Sequence, residues 1–268
     1  MNIKETRPYV AARKTYYALR NWETTKARLL ATAKLLRYRN KHAGKACVVV
    51  GNGPSLRAED LTALHRLGIE TFGCNRIHLI FDQTPWRPTY YFISDEKLIR
   101  QYSDDVPDVP VDHRFFPRRY CDIVKNGLYY NELQFDYEKD GKFSLDAGKG
   151  VYPAGSVTTE MIQFAYYMGF SEIYLIGVDF SYAVTNVLND RTYAYQGENN
   201  YFIKGYLKPG EVADMPNITA NLLGFHAARK AIEENGRVIR NATRGGKLEV
   251  FDRVNLDDLL RKWEEERK

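Results

Sequence analysis

Polar and small residues follow four hydrophobic segments of the sequence, and this pattern indicates a site for a phosphorylated ligand. The first group is the turn Gly51-Asn52-Gly53-Pro54-Ser55, directly after Cys47-Val48-Val49-Val50. Two glycines let backbone N–H groups approach an anion, and Pro54 or Ser55 can open a helix whose N-terminus favours negative charge. The spacing is that of neither a Walker A loop nor a GxGxxG turn. A tight strand-to-helix turn without a ligand is the alternative.

The second and third groups carry amide, guanidinium and carboxylate side chains. Asn75 and Arg76 follow the second hydrophobic segment, and both can hold phosphate oxygens or a sugar hydroxyl. Ser94 and Asp95 follow the third segment. Asp95 is a candidate base or ribose ligand, and the alternative role is an N-cap of the next helix.

The fourth group follows the most hydrophobic segment, residues 172–176. It combines an acid, aromatic rings and hydroxyls: Asp179, Phe180, Ser181 and Tyr182. A glycine and a serine, Gly155 and Ser156, begin another predicted helix and again present backbone N–H groups. These residues extend the predicted anion site.

The elements that position these groups alternate between strand and helix patterns. We predict strands at residues 47–50, 69–73, 90–93, 172–176 and 238–239. We predict helices at residues 58–67, 156–168 and 219–235 and from residue 255 onward. This alternation is typical of a mostly parallel sheet covered by helices on both faces. We therefore expect an α/β fold with a single Rossmann-like domain over residues 45–268. Ligands bind beyond the carboxyl ends of such strands, so the four groups should meet at one edge.

A tyrosine-rich segment, residues 181–216, separates the fourth group from the next predicted helix. Its roughly 35 residues exceed ordinary connections, and we predict a lid that covers the bound donor. Candidate catalytic and binding side chains in it are Tyr182, Tyr193, Tyr195, Tyr201 and Lys204. The alternative is a surface loop whose tyrosines pack on the sheet.

The N-terminal residues 1–44 form a predicted basic helical arm. Residues 1–41 contain eleven Lys and Arg against two Glu, a net charge of +9, whereas the whole chain carries +5. A basic amphipathic helix can lie on an anionic membrane. The alternative is a helix that packs on its own domain or on a second subunit, so a homo-oligomer stays open. We expect no nucleic acid partner.

The hydrophobic pattern predicts neither a transmembrane helix nor a secretory signal, because no apolar run approaches about 18 residues. We therefore expect a cytoplasmic protein, peripheral at the inner face of the plasma membrane. Cys47, Cys74 and Cys121 lack the spacing of a metal site. We predict reduced cysteines and no metal ligands.

Four motifs in this order resemble those of the bacterial lipooligosaccharide sialyltransferases. The motifs are Gly51–Leu56, Cys74–Arg76, Ala154–Val157 and Glu172–Phe180. They are also similar to a broader family that covers the archaeal 6-hydroxymethylpterin diphosphokinases and the motility-associated flagellin glycosyltransferases. The resemblance spans residues 45–251 and implies a sialyltransferase-like variant of the GT-A fold.

The resemblance implies a metal-independent glycosyltransferase of cell-surface polysaccharide or glycoconjugate synthesis, without a cofactor. The implied donor is a CMP-activated sugar, sialic-acid-like or otherwise acidic, and the implied acceptor is a glycan or a lipid-linked sugar. Asn52 and Asn75 are implied to contact the donor phosphate and ribose, Gly155 and Ser156 the cytidine, and Phe180 the base. Tyr182, Tyr193 and Tyr195 are implied to bind the leaving phosphate. The chain has no Asp-x-Asp motif, which is consistent with catalysis without a bound metal.

One position departs from the sialyltransferase pattern. Where those enzymes carry a catalytic histidine in the loop, this chain has Lys204. Lysine is a poor base unless its pKa is lowered. Three explanations stay open: Asp95 or Asp179 is the base, Lys204 binds an anionic substrate, or the chemistry is not sialyl transfer.

Two other functions are compatible with these residues. The first is a diphosphokinase of the 6-hydroxymethylpterin type, which requires Mg²⁺, with Asp95, Glu96 and Asp179 as candidate carboxylates. The second is a non-catalytic nucleotide-binding partner in a polysaccharide assembly complex.

Overall fold

The computed structural model describes residues 32–102, 109–136 and 139–268. The strands are β1 (Ala46–Val50), β2 (Glu70–Cys74), β3 (Tyr90–Phe92), β4 (His113–Pro117), β5 (Leu128–Tyr130), β6 (Glu172–Ile176), β7 (Val187–Asn189), β8 (Thr192–Ala194), β9 (Val212–Asp214) and β10 (Val238–Asn241). Within these residues, one parallel sheet has the order β10-β6-β1-β2-β3-β4-β5. The predicted α/β class is confirmed.

Helices cover both faces of this sheet. They are α1 (Ala58–Arg66), α2 (Glu96–Gln101), α3 (Val157–Tyr167), α4 (Ile218–Glu234) and α5 (Leu256–Glu266), with a 3-10 segment at Ile77–Gln83. Alternate strand residues enter two cores: Cys47 and Val49 pack with α3 and α4, whereas Val48 and Val50 pack with α1, α2 and α5. No helix in the described ranges is long and apolar enough to cross a membrane.

The order of the strands creates a crevice between β1 and β6. From β1 the chain builds the sheet outward through β5, and it then returns to place β6 on the other side of β1. The two strands pair in parallel, with Val50 opposite Ile176 at their carboxyl ends. The loops after β1 and β6 therefore diverge, which is where open α/β sheets bind ligands.

The last residues of the predicted arm pack on the α/β domain. Leu35 and Tyr38 are buried in the core that contains α3, and His42 is buried beside Phe170. The backbone N–H of His42 donates to the carbonyl oxygen of Met168 at 2.8 Å. This part of the arm therefore follows the alternative prediction of a segment packed on its own domain. The predicted membrane-binding helix falls mainly on residues 1–31, which lie outside the described residues.

The segment 181–216, which we call the lid, contains a small antiparallel sheet. Strand β8 lies between β7 and β9. Two of its predicted phosphate ligands, Tyr193 and Tyr195, are buried in the core that contains α1. The lid is thus more ordered than the loop predicted from its polar sequence, because tyrosines anchor it to the sheet.

Candidate active site

The glycine turn after β1 packs against the turn after β6. The N–H of Gly51 donates to Ile176 O and that of Gly53 donates to Gly177 O, both at 2.8 Å. A Cβ atom at Gly53 would overlap the carboxylate of Asp179. These glycines therefore permit backbone contact between the two loops. The expectation that their N–H groups face an anion is wrong, because both groups are already bonded to carbonyl oxygens.

A pocket opens at the carboxyl edge of the sheet beside this contact. It brings together residues from the first, second and fourth predicted groups, from the helix start at Ser156 and from the lid, whereas the third group, Ser94 and Asp95, does not line it. Ten of its lining residues were predicted from the sequence: Gly51, Asn52, Gly53, Asn75, Ser156, Asp179, Phe180, Ser181, Tyr182 and Tyr201. The strand order thus assembles residues that are up to 150 positions apart, as the distance from 51 to 201 shows.

Two asparagine amides form the floor of the pocket. The Asn52 amide nitrogen donates to Cys74 O at 3.1 Å, while its Oδ1 atom is buried without a hydrogen-bond partner in the described structure. Asn75 Oδ1 is also buried and unpartnered there. Asn75 has φ 51°, and its carbonyl oxygen accepts from Tyr91 Oη at 2.6 Å. Because buried acceptors normally have a donor, both oxygens point to a ligand that donates hydrogen bonds.

The N-terminus of α3 forms one wall. Ser156 caps this helix, with its Oγ accepting from Thr158 N at 3.2 Å. Val157 and Thr158 also line the pocket. The first N–H groups of a helix lack intrahelical partners and attract anions. The predicted helix start at Gly155 and Ser156 is therefore confirmed as an N-terminus that faces the pocket.

The Asp179 carboxylate links the loop after β6 to the loop after β1. Its Oδ2 atom accepts from Ser55 Oγ at 2.8 Å. Burial raises the pKa of Asp179, while the hydrogen bonds from Ser55 oppose that rise. Among the described lining residues Asp179 alone has an ionisable carboxyl or basic group, so an anionic ligand here depends on backbone dipoles and hydroxyls.

The lid closes the opposite side. Tyr201 stacks on Tyr206 with ring centroids 3.9 Å apart, and both line the pocket. The N–H of Arg76 donates to Tyr206 Oη at 3.2 Å, and its guanidinium donates to the Tyr206 carbonyl oxygen. The N–H of Phe202 donates to Asn52 O at 3.1 Å. Arg76 therefore holds the lid and does not line the pocket.

Other predicted residues lie around the pocket without lining it. Asp95 caps α2, with Oδ1 accepting from Leu98 N at 3.0 Å, which is the alternative role considered for it. Lys204 is exposed on the lid. The remaining residues contact other side chains: Gly155 beside Asn221, Ser94 beside Glu160, and Tyr193 beside Tyr201.

Seven pocket residues were not among the predicted site residues: Cys74, Val157, Thr158, Gly177, Val178, Asn200 and Tyr206. Asn200 binds the backbone of Ala183 in both directions at 2.7 Å and so closes the start of the lid. A single sequence gives no signal for this contact because the partners are separated by a loop. Tyr206 lies in the tyrosine-rich segment 181–216 but was not among the candidate residues of that segment.

A buried carboxyl, Glu160, lies on α3 just beyond the pocket. It accepts a hydrogen bond from Tyr130 Oη and contacts the side chain of Ser94. Burial raises its pKa to about 7. An acidic residue inside an otherwise apolar helix is the sequence signal that could have identified it.

The carboxylates proposed for Mg²⁺ do not converge. Asp95 caps α2, Glu96 pairs with Arg100, and Asp179 binds Ser55. Within the described ranges, no group of three or more His, Cys, Asp or Glu side chains could hold a metal ion. These residues therefore do not fit the magnesium site considered for a diphosphokinase.

The model of the 6-hydroxymethylpterin diphosphokinase MptE-like family matches residues 18–185 of the chain. The chain belongs to this family. The MptE-like match contains the pocket residues from Gly51 to Tyr182, whereas most of the lid lies beyond it. The superfamily identified from the four motifs is confirmed, and the match begins within the predicted arm. Comparison with curated proteins finds no match.

Two solved structures are similar to this MptE-like chain. The MAf glycosyltransferase from Magnetospirillum magneticum AMB-1 is 16% identical, with a TM-score of 0.51 over 85% of this chain and 38% of that one. The sialyltransferase CstII from Campylobacter jejuni, in complex with a substrate analogue, cytidine-5'-monophosphate, is 14% identical, with a TM-score of 0.45 over 79% and 85%. The first likeness shows a shared fold, and this chain spans well under half of the MAf protein.

Proposed function

We propose that this protein is a glycosyltransferase that takes a sugar from a nucleotide-activated donor. The observation that carries the proposal is the pair of buried, unpartnered oxygens of Asn52 and Asn75 beside the N-terminus of α3. Ribose hydroxyls donate to such oxygens, and a helix N-terminus favours phosphate. The fold shared with a protein named a glycosyltransferase supports the same class.

Within this class, we propose a CMP-activated acidic sugar as the donor and a metal-independent reaction. The motif resemblance to the sialyltransferases supports this choice, and so does the absence of an Asp-x-Asp motif. Phe180 lines the pocket with φ 52°, a conformation that non-glycine residues rarely adopt. Such strain is typical of functional sites, and it supports a role for this ring against the base.

Hydroxyl groups then stabilise the leaving phosphate. Desolvation raises the pKa of Tyr182 to about 12, and the pKa of Tyr201 is raised further. Both phenols are therefore protonated near pH 7. The Tyr201 hydroxyl can donate to developing negative charge, and the Tyr182 hydroxyl can do so when it is free of its neighbour Asn221. Preorganised donors of this kind supply electrostatic stabilisation without a metal.

Asp179 is the acceptor base that the pocket favours, since it lines the pocket and burial raises its pKa. Asp95 is the alternative, but its Oδ1 atom caps α2. Asp179→Asn keeps an acceptor for Ser55 and should lower kcat, whereas Asp95→Asn serves as the comparison. A larger kcat loss in Asp95→Asn would assign the base to that residue.

Thermal-shift measurements with CMP, CDP, UDP, GDP and ATP, each with and without Mg²⁺, test the proposal. A ligand at 100 times its Kd adds about 2.7 kcal/mol of stability, or roughly 5–10 °C in Tm for a chain of this size. We expect this shift with CMP in the absence of Mg²⁺.

The variants Asn52→Ala and Asn75→Gly should reduce the CMP shift. Glycine is chosen at position 75 because it removes the amide without straining the left-handed backbone. Asn235→Ala, at the exposed C-terminus of α4, is the matched control. No shift with any nucleotide would overturn the proposal.

The second candidate function is the diphosphokinase named in the family description. It predicts that ATP stabilises the protein only with Mg²⁺ and that CMP has no effect. The same measurements therefore separate the two functions.

A further inference from the structure

Asn221 is a buried polar side chain that connects the pocket with the lid. It lies one turn after Asn217, the N-cap of α4, and it is 3% exposed. A buried amide must find partners for its N–H and C=O groups or it destabilises the fold. Its partners therefore indicate which parts of the structure it holds.

The orientation of the amide follows from its surroundings. One end faces two carbonyl oxygens, Ala154 O at 2.8 Å and Gly155 O at 3.2 Å. Carbonyl oxygens only accept hydrogen bonds, so this end must be the NH₂ group. Asn221 thus donates both of its amide hydrogens to the turn that precedes α3.

This turn sets the shape of the donor pocket. Gly155 has φ +67°, and the next residue, Ser156, caps α3 and lines the pocket. A Cβ atom at Gly155 would lie 3.3 Å from the Asn221 amide. Fixing the two carbonyl groups therefore fixes where the first N–H groups of α3 point.

The other end of the amide reaches the lid. The Asn221 side chain also interacts with the side chain of Tyr182. Tyr182 is 47% exposed, and its ring contacts the Phe180 ring at a centroid distance of 5.8 Å. Tyr182 begins the lid and α4 follows the last lid residue, so this contact ties the two ends of the lid together.

We propose that Asn221 is a positioning residue that couples the order of the lid to the geometry of the nucleotide pocket. The proposal deepens the proposed function and rests on it for the nature of the ligand. When Tyr182 leaves Asn221, the amide carbonyl loses its contact with the lid, and the 154–155 turn loses part of its support. Donor affinity and lid order should therefore change together.

Hydrogen exchange of the ligand-free protein tests the coupling without any nucleotide. In Asn221→Ala, we expect faster exchange both at residues 154–158 and at residues 181–183, relative to wild type and to the control Asn235→Ala. In the Asn221→Ala background, Tyr182→Phe should add no further change at 181–183, because the contact is already lost. Unchanged exchange in either segment, or additive effects in the double variant, would overturn the proposal.

Asn221→Asp provides a readout that a purely structural role would not give. The aspartate has the same size, but its ionised form cannot donate to the two carbonyl groups. We expect CMP affinity to fall by roughly tenfold or more at pH 8, since two hydrogen bonds are lost. The ratio of the variant's Kd to the wild-type Kd should fall towards one as the pH falls, because a protonated carboxyl can donate one hydrogen bond.

The hydrogen-exchange and CMP-binding experiments distinguish failure of the positioning role of Asn221 from failure of the proposed function. If wild type binds no nucleotide, the proposed function fails while the exchange experiment still decides the role of Asn221. If wild type binds CMP and Asn221→Asp lowers only Tm, with an unchanged Kd at every pH, the positioning role is wrong and the proposed function stands.

Discussion

The Ser55 hydroxyl lies 2.8 Å from the Asp179 carboxylate and so joins the loops that follow two paired strands. Ser55→Ala removes this donor from a buried carboxylate. We expect a loss of about 1–2 kcal/mol in the free energy of unfolding, measured by urea denaturation. Ser171→Ala, which removes an exposed hydroxyl bonded to Lys45 O at 3.3 Å, is the control and should change stability by less than about 0.5 kcal/mol. Equal losses in both variants would contradict the importance of the Ser55 contact.

Gly53→Ala should be one of the most damaging small substitutions in this protein. The added Cβ atom would overlap the Asp179 carboxylate and lie 2.8 Å from Gly177 O. We expect a loss of roughly 3 kcal/mol or more, measured by the same denaturation. Gly210→Ala is the comparison, because it meets open space and carries only the strain of φ +88°, about 1–2 kcal/mol. A milder effect at Gly53 than at Gly210 would show that the two loops can separate.

Glu160 makes stability depend on pH. Its pKa in the folded protein is about 7, against an ordinary value of 4.5, so folding favours the protonated form. This contribution is complete below about pH 4.5 and is lost as the pH rises to about 7, a change of roughly 3 kcal/mol. Glu160→Gln should lack this pH-dependent contribution. The difference in unfolding free energy between variant and wild type should therefore change by roughly 3 kcal/mol between pH 4 and pH 8.

His42 and His113 act in the opposite direction, since burial lowers both pKa values and stability falls as the pH drops below about 6.5. Both histidines are present in wild type and in Glu160→Gln, so their effect cancels in the difference. Parallel pH profiles for the two proteins would contradict the assigned role of Glu160.

Lys204 should affect substrate binding more than stability. It is exposed on the lid, and surface substitutions of this kind change stability by less than about 0.5 kcal/mol. If it attracts an acidic substrate, Lys204→Ala should raise KM with kcat unchanged, and added salt should reduce the difference from wild type. Lys204→Arg keeps the charge and should behave like wild type. A fall in kcat with constant KM would instead place Lys204 in the transition state.

Removal of residues 1–31 should weaken binding to anionic vesicles while the fold is retained. These residues carry seven Lys and Arg against two Glu. Sedimentation with phosphatidylserine-containing vesicles measures the effect, and added salt should weaken binding of the full chain. Unchanged vesicle binding would reject a membrane role for these residues.

A deletion that extends to residue 41 is a different experiment. It removes Leu35 and Tyr38, which are buried in the core. Loss of a large buried side chain costs about 3–5 kcal/mol, so this deletion should destabilise the domain. Equal Tm values for the two deletions would show that the packed segment contributes nothing.

The sequence was sufficient to predict the strands whose residues are continuously hydrophobic. β1 and β6 are examples, because buried parallel strands have no polar face. It was insufficient for β4, His113–Pro117, in which His113 and Arg114 precede two phenylalanines and conceal the pattern. The lid strands were missed for a similar reason, since β7 and β9 are short and largely exposed.

The pocket was largely predictable because its residues follow strand ends, and parallel strands bring those ends to one edge. The role of the glycines was not predictable, since Gly51 and Gly53 donate their N–H groups to the carbonyl oxygens of Ile176 and Gly177, which are 125 and 124 positions away. The role of Asn221 was not predictable from the sequence either. It resembles any other polar residue of α4 until the turn at Ala154 and the lid are placed against it.

The contact between the turns after β1 and β6 consists mainly of backbone atoms. Gly51, Gly53 and Gly177 approach so closely that side chains have no room there. Apart from Ser55 and Asp179, which also link the two loops, side chains around this contact can change without disturbing it. Substitutions at pocket positions such as Asn75 or Tyr182 can therefore alter the pocket while this contact is retained, whereas a side chain at any of the three glycines would disrupt it.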